Sequence, residues 1–305
     1  MPLFQQFIME CEKNQSKNLY IALILIAGIL WGSMGLFVRP LNRKNLSSWD
    51  IVFIRAILTT FFMAVLLLKK DINLFRVKLK DIWCFIGTGI FSIVFFNMCY
   101  FKEITIAPLS VAAILLYTAP AFVIVLSAIC FKENITKYRV VSLLLSFAGL
   151  IFVTGVLGSS DRITFKTLMI GLGAGLGYAL YSIFSRYALE RGYETYTISF
   201  YTFLFASLSS AFFARPVEVT RIVTASTADI ILVIIFALIS TVIPYLTYTT
   251  GLKRVENGQA SIIASIEPVV ASLIGIIWFH EKMSLGVLVG IILVLAGIVI
   301  SNIKK

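Results

Sequence analysis

The 305 residues are 59% hydrophobic and 13% charged, with a mean hydropathy of +0.97, whereas a soluble domain typically carries about 25% charged residues. Water is therefore excluded as the main solvent of the fold. The net charge of +11 would suit nucleic acid, but Lys and Arg fall between apolar runs, where basic loops at a membrane surface account for them.

Residues 1–18 form a mixed polar tail with Glu10, Glu12, Lys13 and Lys17. The apolar run that follows is long and lacks a small-residue cleavage site, so it is expected to stay as a first helix and not to be removed as a signal peptide. A helix needs about 20 apolar residues to cross the hydrocarbon. Ten runs qualify: Leu19 to Val38, Ile51 to Leu68, Ile82 to Phe101, Leu109 to Phe131, Val140 to Leu157, Leu168 to Tyr187, Thr197 to Ala214, Ile230 to Thr250, Ala260 to Phe279 and Leu285 to Ile303. Their length and short connections favour an all-α integral membrane protein over a β-barrel.

Orientation follows from the basic residues, which are retained in the cytoplasm. With the N-terminus inside, the inner segments and the span ends beside them hold Lys13 and Lys17, then Lys69, Lys70, Arg76, Lys78 and Lys80, then Lys132, Lys137 and Arg139, then Arg186 and Arg191, then Lys253 and Arg254, and last Lys304 and Lys305. An even number of spans then puts both termini in the cytoplasm, in a multi-pass protein of the cytoplasmic membrane.

Sliding the chain against itself by 148 residues superposes Tyr100 on Tyr248, Ala112 on Ala260, Pro120 on Pro268, Phe131 on Phe279, Glu133 on Glu281 and Ala148-Gly149 on Ala296-Gly297. An offset one residue shorter aligns Ala27-Gly28 with Ala174-Gly175, Arg39 with Arg186 and Phe53 with Phe200. The chain thus reads as a tail, a first five-helix half over 19–157 and a second over 158–305. Because five is odd, the second half enters from the opposite side, giving two inverted repeats able to expose one central site alternately to either side.

Cys84, Cys99 and Cys130 lie within apolar runs and Cys11 in the tail, a pattern that fits buried thiols and neither a disulfide framework nor a metal site. The single histidine, His280, has no companion ligands and reads as a surface residue. The run Gly171-Leu172-Gly173-Ala174-Gly175-Leu176-Gly177 lacks both the dinucleotide fingerprint and the Lys-Ser/Thr ending of a phosphate loop. It instead supplies small-xxx-small pairs for close helix packing. No ATPase motif, cofactor site or enzyme signature is expected.

Glu267 sits about eight residues into its span, roughly 12 Å along the axis, where a carboxylate is costly and should face a cavity or a partner. It suits proton coupling, a counter-charge for a substrate amine, or a structural hydrogen bond beside Pro268. Arg55 lies about one turn beyond Asp50, so it could snorkel, pair with Asp50, or receive a substrate carboxylate. Pro120, Pro244 and Pro268 interrupt spans, and broken helices often line transporter sites. Trp31, Asn97, Tyr100, Tyr117, Tyr178, Tyr181, Tyr245, Tyr248 and Ser265 complete the candidate lining of a substrate site. Tyr178 and Tyr181, three residues apart, share one helix face.

The stretches Leu116-Tyr117-Thr118-Ala119-Pro120 through Phe131-Lys132-Glu133, and Ile266-Glu267-Pro268-Val269-Val270-Ala271 through Phe279-His280-Glu281, resemble the EamA family of the drug/metabolite transporter superfamily. Also similar are Ile29-Leu30-Trp31-Gly32, Arg55, and the glycines Gly149 and Gly297 that close each half. The resemblance covers nearly the full chain and implies a ten-helix carrier with a cavity lined by the first, third, fourth, sixth, eighth and ninth spans. It implies passage, most plausibly export, of amino acids, related metabolites or drugs by a secondary transporter. A monomer suffices for two complete halves, and a homodimer stays open. The rivals are a channel-like facilitator and a non-transporting structural or partner protein; a membrane enzyme lacks its clustered loop residues.

Overall fold

The computed structural model describes residues 2–154, 164–281 and 283–303, and among them every regular element is helical. The expected end of the fifth span at Leu157, the boundary between the halves, and Lys304 and Lys305 lie outside the described residues. The first span belongs to a helix running Pro2–Gly32, so the polar tail before Leu19 is itself helical; after a break at Ser33 and Met34 it continues as Gly35–Arg43. The second is Ser48–Lys70. The third joins Ile82–Ile86, a wider π-helical stretch Gly87–Val94, and Phe95–Glu103. The fourth is broken into Leu109–Leu116 and Ala119–Phe131, the fifth is Lys137–Thr154, and the sixth is Phe165–Glu190. The seventh is Thr195–Ser210. The eighth joins Thr227–Ala237, a second π-helical stretch Leu238–Val242, and Ile243–Gly251. The ninth is broken into Asn257–Ala264 and Glu267–Phe279, and the tenth is Leu285–Ser301.

Among the described residues, eight spans are long and apolar enough to cross a membrane by length and composition. The seventh and tenth are shorter, with 16 and 17 residues. At about 1.5 Å per residue a 16-residue helix covers roughly 24 Å, less than the ~30 Å hydrocarbon thickness. The seventh stops at Ser210, short of Ala214, because the chain turns there and enters a short helix, Pro216–Val223, between two expected spans. Proline in its first turn starts that helix, and Val219 and Val223 pack on Leu41, Leu46 and Phe236.

The duplication is written in the element boundaries. The fourth-span pieces Leu109–Leu116 and Ala119–Phe131 recur 148 residues later as Asn257–Ala264 and Glu267–Phe279, and Phe95–Glu103 recurs as Ile243–Gly251. Both π-helical stretches end at equivalent residues, Val94 and Val242. Lys132 and His280 end equivalent helices in the left-handed conformation, at φ 56° and 55°. The fold is all-α and membrane-type, in two five-helix halves, and the odd count inverts the second half relative to the first.

The glycines seat one span on another. Gly175 backs onto the carbonyls of Leu115 and Leu116 at the break of the fourth span, while its repeat partner Gly28 backs onto Ala264 at the break of the ninth. Gly173 and Gly177 pack on Cys99 and on the Phe96 backbone of the third span. This is close packing by small residues, as expected of that glycine run. Among the cysteines Cys84 is buried and Cys99 half-buried, but Cys130 is exposed, because the end of the fourth span carries it to the outer surface of the bundle. His280 is exposed, as a helix-ending residue.

Candidate functional site

The breaks in the fourth and ninth spans follow from Pro120 and Pro268, each in the first turn of the second piece, where a proline's missing N–H costs nothing. Residues just ahead of each proline leave the helix, and their side chains point to the interior. Glu267 opens its helix piece, at the end where the backbone dipole favours negative charge. Pro244 instead follows the π-helical stretch of the eighth span.

These breaks border a cavity of about 590 Å³ enclosed by both halves. Trp31, Arg55, Asn97, Tyr100, Tyr117, Tyr178, Tyr245 and Glu267, all named from the sequence, line it together with Pro268. The Tyr178 hydroxyl donates to Glu267 Oε2 at 3.0 Å, and Tyr117 closes on the same carboxylate. Trp31 stands against Tyr245 and Tyr248 at ring-centroid distances of 5.2 and 5.3 Å, and edge-on to Tyr178 at 6.3 Å. Asn97 donates its amide to the Ile93 carbonyl, 2.7 Å away, in the π-helical stretch of its own span.

Arg55 does not pair with Asp50. Asp50 is fully buried at the start of the second span, where it forms a capping box with Ser47 and accepts Arg215 Nη2 at 2.5 Å and Nε at 3.1 Å. Arg55, only 5% exposed, is left facing the cavity. Among the described residues its guanidinium bonds only a weak acceptor, Met34 Sδ at 3.6 Å, and its Nε has no hydrogen-bond partner. No direct Arg55–Glu267 ion pair forms, so an unpaired guanidinium and a carboxylate face one chamber.

Three candidates lie below the floor of this chamber. Tyr181 shares a hydrogen bond with Thr249 at 2.7 Å, Tyr248 shares one with Ser182 at 2.8 Å, and Ser265 donates to the Ser261 carbonyl at 3.2 Å. Tyr248, Ser265 and Pro120 border a void of only about 10 Å³. The end beyond is shut. Glu133 accepts the backbone amides of Asn257 and Gly258 at 2.8 and 3.2 Å, Arg139 bridges Glu133 and Glu256, and Arg186 donates to the Leu252 carbonyl.

The opposite end carries lining residues that sequence reasoning missed: Met34, Ser48, Ser110, Thr154, Ser272 and Glu281. Glu281 takes Arg39 Nη2 at 2.7 Å, and that guanidinium lies over the Phe279 ring. The repeat held the signal for Glu281, which matches Glu133; the small polar residues gave none.

The family model for the EamA-like transporter family matches residues 18–155 and again 165–303. An uncharacterized transporter of Archaeoglobus fulgidus is 28% identical over 282 residues, covering 92% of this chain and 95% of its own. The uncharacterized transporter YxxF of Bacillus subtilis is 23% identical over 297 residues, covering 96% and 92%. A solved crystal structure 17% identical in sequence superposes with a TM-score of 0.75 over 93% of this chain and 96% of its own, which shows the fold.

Proposed function

The chain belongs to the EamA-like transporter family, and from that premise we propose that it is a secondary transporter moving small organic solutes across the cytoplasmic membrane by alternating access. One observation carries the reading: two equivalent carboxylates are in unlike states, one sealed beyond the floor of the chamber and the other at its rim. Glu133, its side chain 7% exposed, holds the first amides of Asn257–Ala264. Glu281, its side chain 52% exposed, borders the open chamber. The first-half equivalents of Asn257 and Gly258 are Leu109 and Ser110, and Ser110 lines that same chamber.

An exchange therefore has a concrete form. Glu281 leaves Arg39 for the amides at the start of Leu109–Leu116, while Glu133 releases Asn257 and Gly258, and the cavity changes sides. The basic residues of the connections support a cytoplasmic position for Glu133 and a mouth that opens outside. Arg55 and Glu267 without a mutual ion pair suit a solute bearing both charges, such as an amino acid or a related metabolite. Export is the direction implied by the family resemblance.

The test is flux in proteoliposomes. Uptake of labelled amino acids should saturate and be accelerated by unlabelled solute on the far side. Flux that neither saturates nor shows counterflow would make the protein a pore, and no flux of any solute would leave a structural role. Ser110→Cys, in a background lacking the four native cysteines, reads the exchange. Labelling from outside should fall when Glu133→Gln weakens the inner contact and rise when Glu281→Gln prevents the outer one.

A further inference from the structure

Asp50, Asp81 and Asp229 are buried and each pairs with a basic side chain, but one buried carboxylate outside this scheme has no such partner among the described residues. Glu103 ends the helix Phe95–Glu103, is 0% exposed, and neither side-chain oxygen has a hydrogen-bond partner among the described residues. It occupies the slot left by Gly171 on the sixth span, where a Cβ would collide with its Oε1. The repeat gives a control for what that slot requires. Glu103 corresponds to Gly251 and Gly171 to Ile24, and the Ile24 side chain fills the matching slot over Gly251. An apolar side chain thus makes the same packing contact, so packing alone does not call for a carboxylate.

Among the described residues, the surroundings offer no counter-charge. On its own helix Glu103 lies near Cys99 and Tyr100, and Lys102 is exposed. The sixth span presents Gly171, with Lys166 exposed one turn away; the fourth presents Leu115, and the π-helical stretch Gly87–Val94 carries no titratable residue. An ionised carboxylate buried without a cation or donor is among the costliest groups a protein can hold, and the neutral acid removes most of that cost.

We propose that Glu103 is a proton-binding site: a proton taken from water sits on the carboxylate in the state seen here, and it leaves when the end of the third span opens. The step transfers one proton and changes the local charge from −1 to zero, with no redox partner. Tyr100, three residues earlier and on the cavity wall, lies within electrostatic range of both Glu103 and Glu267. This assignment does not depend on the carrier reading, because proton binding is measured without transport.

The experiment is infrared difference spectroscopy of the full chain in lipid vesicles, titrated from acid to alkaline pH. A carboxylic-acid C=O band should persist at neutral pH, shift in D2O, disappear in Glu103→Gln and survive in Glu267→Gln. Asp50, Asp81, Glu133 and Asp229 each have a basic partner and should not contribute. Absence of any acid band at neutral pH in the parent overturns the proposal, as does a band that Glu103→Gln leaves intact. Should Glu103→Gln fail to fold, Glu267→Gln decides: a spectrum with no acid band left overturns the assignment, and a band that survives supports Glu103.

Discussion

Gly149 and Gly290 stand back to back where the fifth and tenth spans cross: a Cβ on Gly149 would lie 2.6 Å from the Gly290 carbonyl oxygen, and one on Gly290 would lie 2.5 Å from that of Gly149. The repeat mate of the pair is Gly297 against the Ser142 carbonyl, at 2.8 Å. The crossing thus has backbone touching backbone on both sides of the axis relating the halves, which neither side can relieve by a rotamer change. Gly149→Leu should lower the melting temperature in detergent, by a loss of about 1–3 kcal/mol as for other overpacked sites. Gly286→Ala, where the nearest atom would be 3.5 Å away, is the control and should melt like the parent. Equal melting of Gly149→Leu and parent would show that the crossing is loose.

Among the described residues that line the cavity, Arg55 is a cation without an ion-pair partner. A charge-assisted hydrogen bond contributes about 1.5–3 kcal/mol, so Arg55→Met should weaken binding of a carboxylate-bearing solute by about tenfold to a hundredfold. Arg55→Lys should rescue only part of this, because the planar fork is lost. Equilibrium binding of labelled amino acids to the purified variants measures it. Unchanged affinity in Arg55→Met would remove Arg55 from the site.

Much of this arrangement was readable from residue order. The recurrence of Pro, Phe-x-Glu and Ala-Gly at one spacing gave the duplication and the two helix breaks, because a proline acts locally wherever it falls. What escaped depends on contacts far apart in sequence. Asp50 looked free to pair with Arg55 five residues on, yet its partner Arg215 is 165 residues away, brought in by the turn after the short seventh span. Glu103 follows Lys102 just past the expected span end at Phe101, and nothing in that order marks it; the Gly171 slot reveals that it is buried. Tyr181 and Tyr178 share a helix face by spacing, but one turn of depth separates a cavity wall from a hydrogen-bonded floor.

At the end opposite the chamber, Lys253 Nζ donates to Glu194 Oε2 at 2.8 Å, and this bond holds the Glu194 carboxyl below its ordinary value. A depressed folded-state pKa means that the pair stabilises above the unfolded value of about 4.3 and that its contribution is lost as pH falls through the folded value. Both side chains are partly exposed, so the effect belongs in the ~0.2–1 kcal/mol range of surface pairs. Lys253→Met should melt slightly below the parent at neutral pH and together with it in strong acid. A gap that persists in acid would assign the loss to packing of the lysine stem.

Glu267 faces the cavity from the start of its helix, with Tyr178 donating to it and Tyr117 beside it. Glu267→Gln preserves the shape and keeps an oxygen to accept the Tyr178 hydroxyl, so the variant should fold and leave the chamber intact. Its charge is what changes. If Glu267 carries the coupling proton, solute binding at fixed pH should survive while flux driven by a pH gradient disappears. If it is a counter-charge for a substrate amine, affinity for cationic and zwitterionic solutes should fall while any response to pH stays. Paired measurements on one preparation, binding in detergent and flux in vesicles with and without a pH gradient, separate the two outcomes. A variant that binds and transports like the parent under every gradient removes both roles, and the carboxylate is then there to hold two tyrosines at the break beside Pro268.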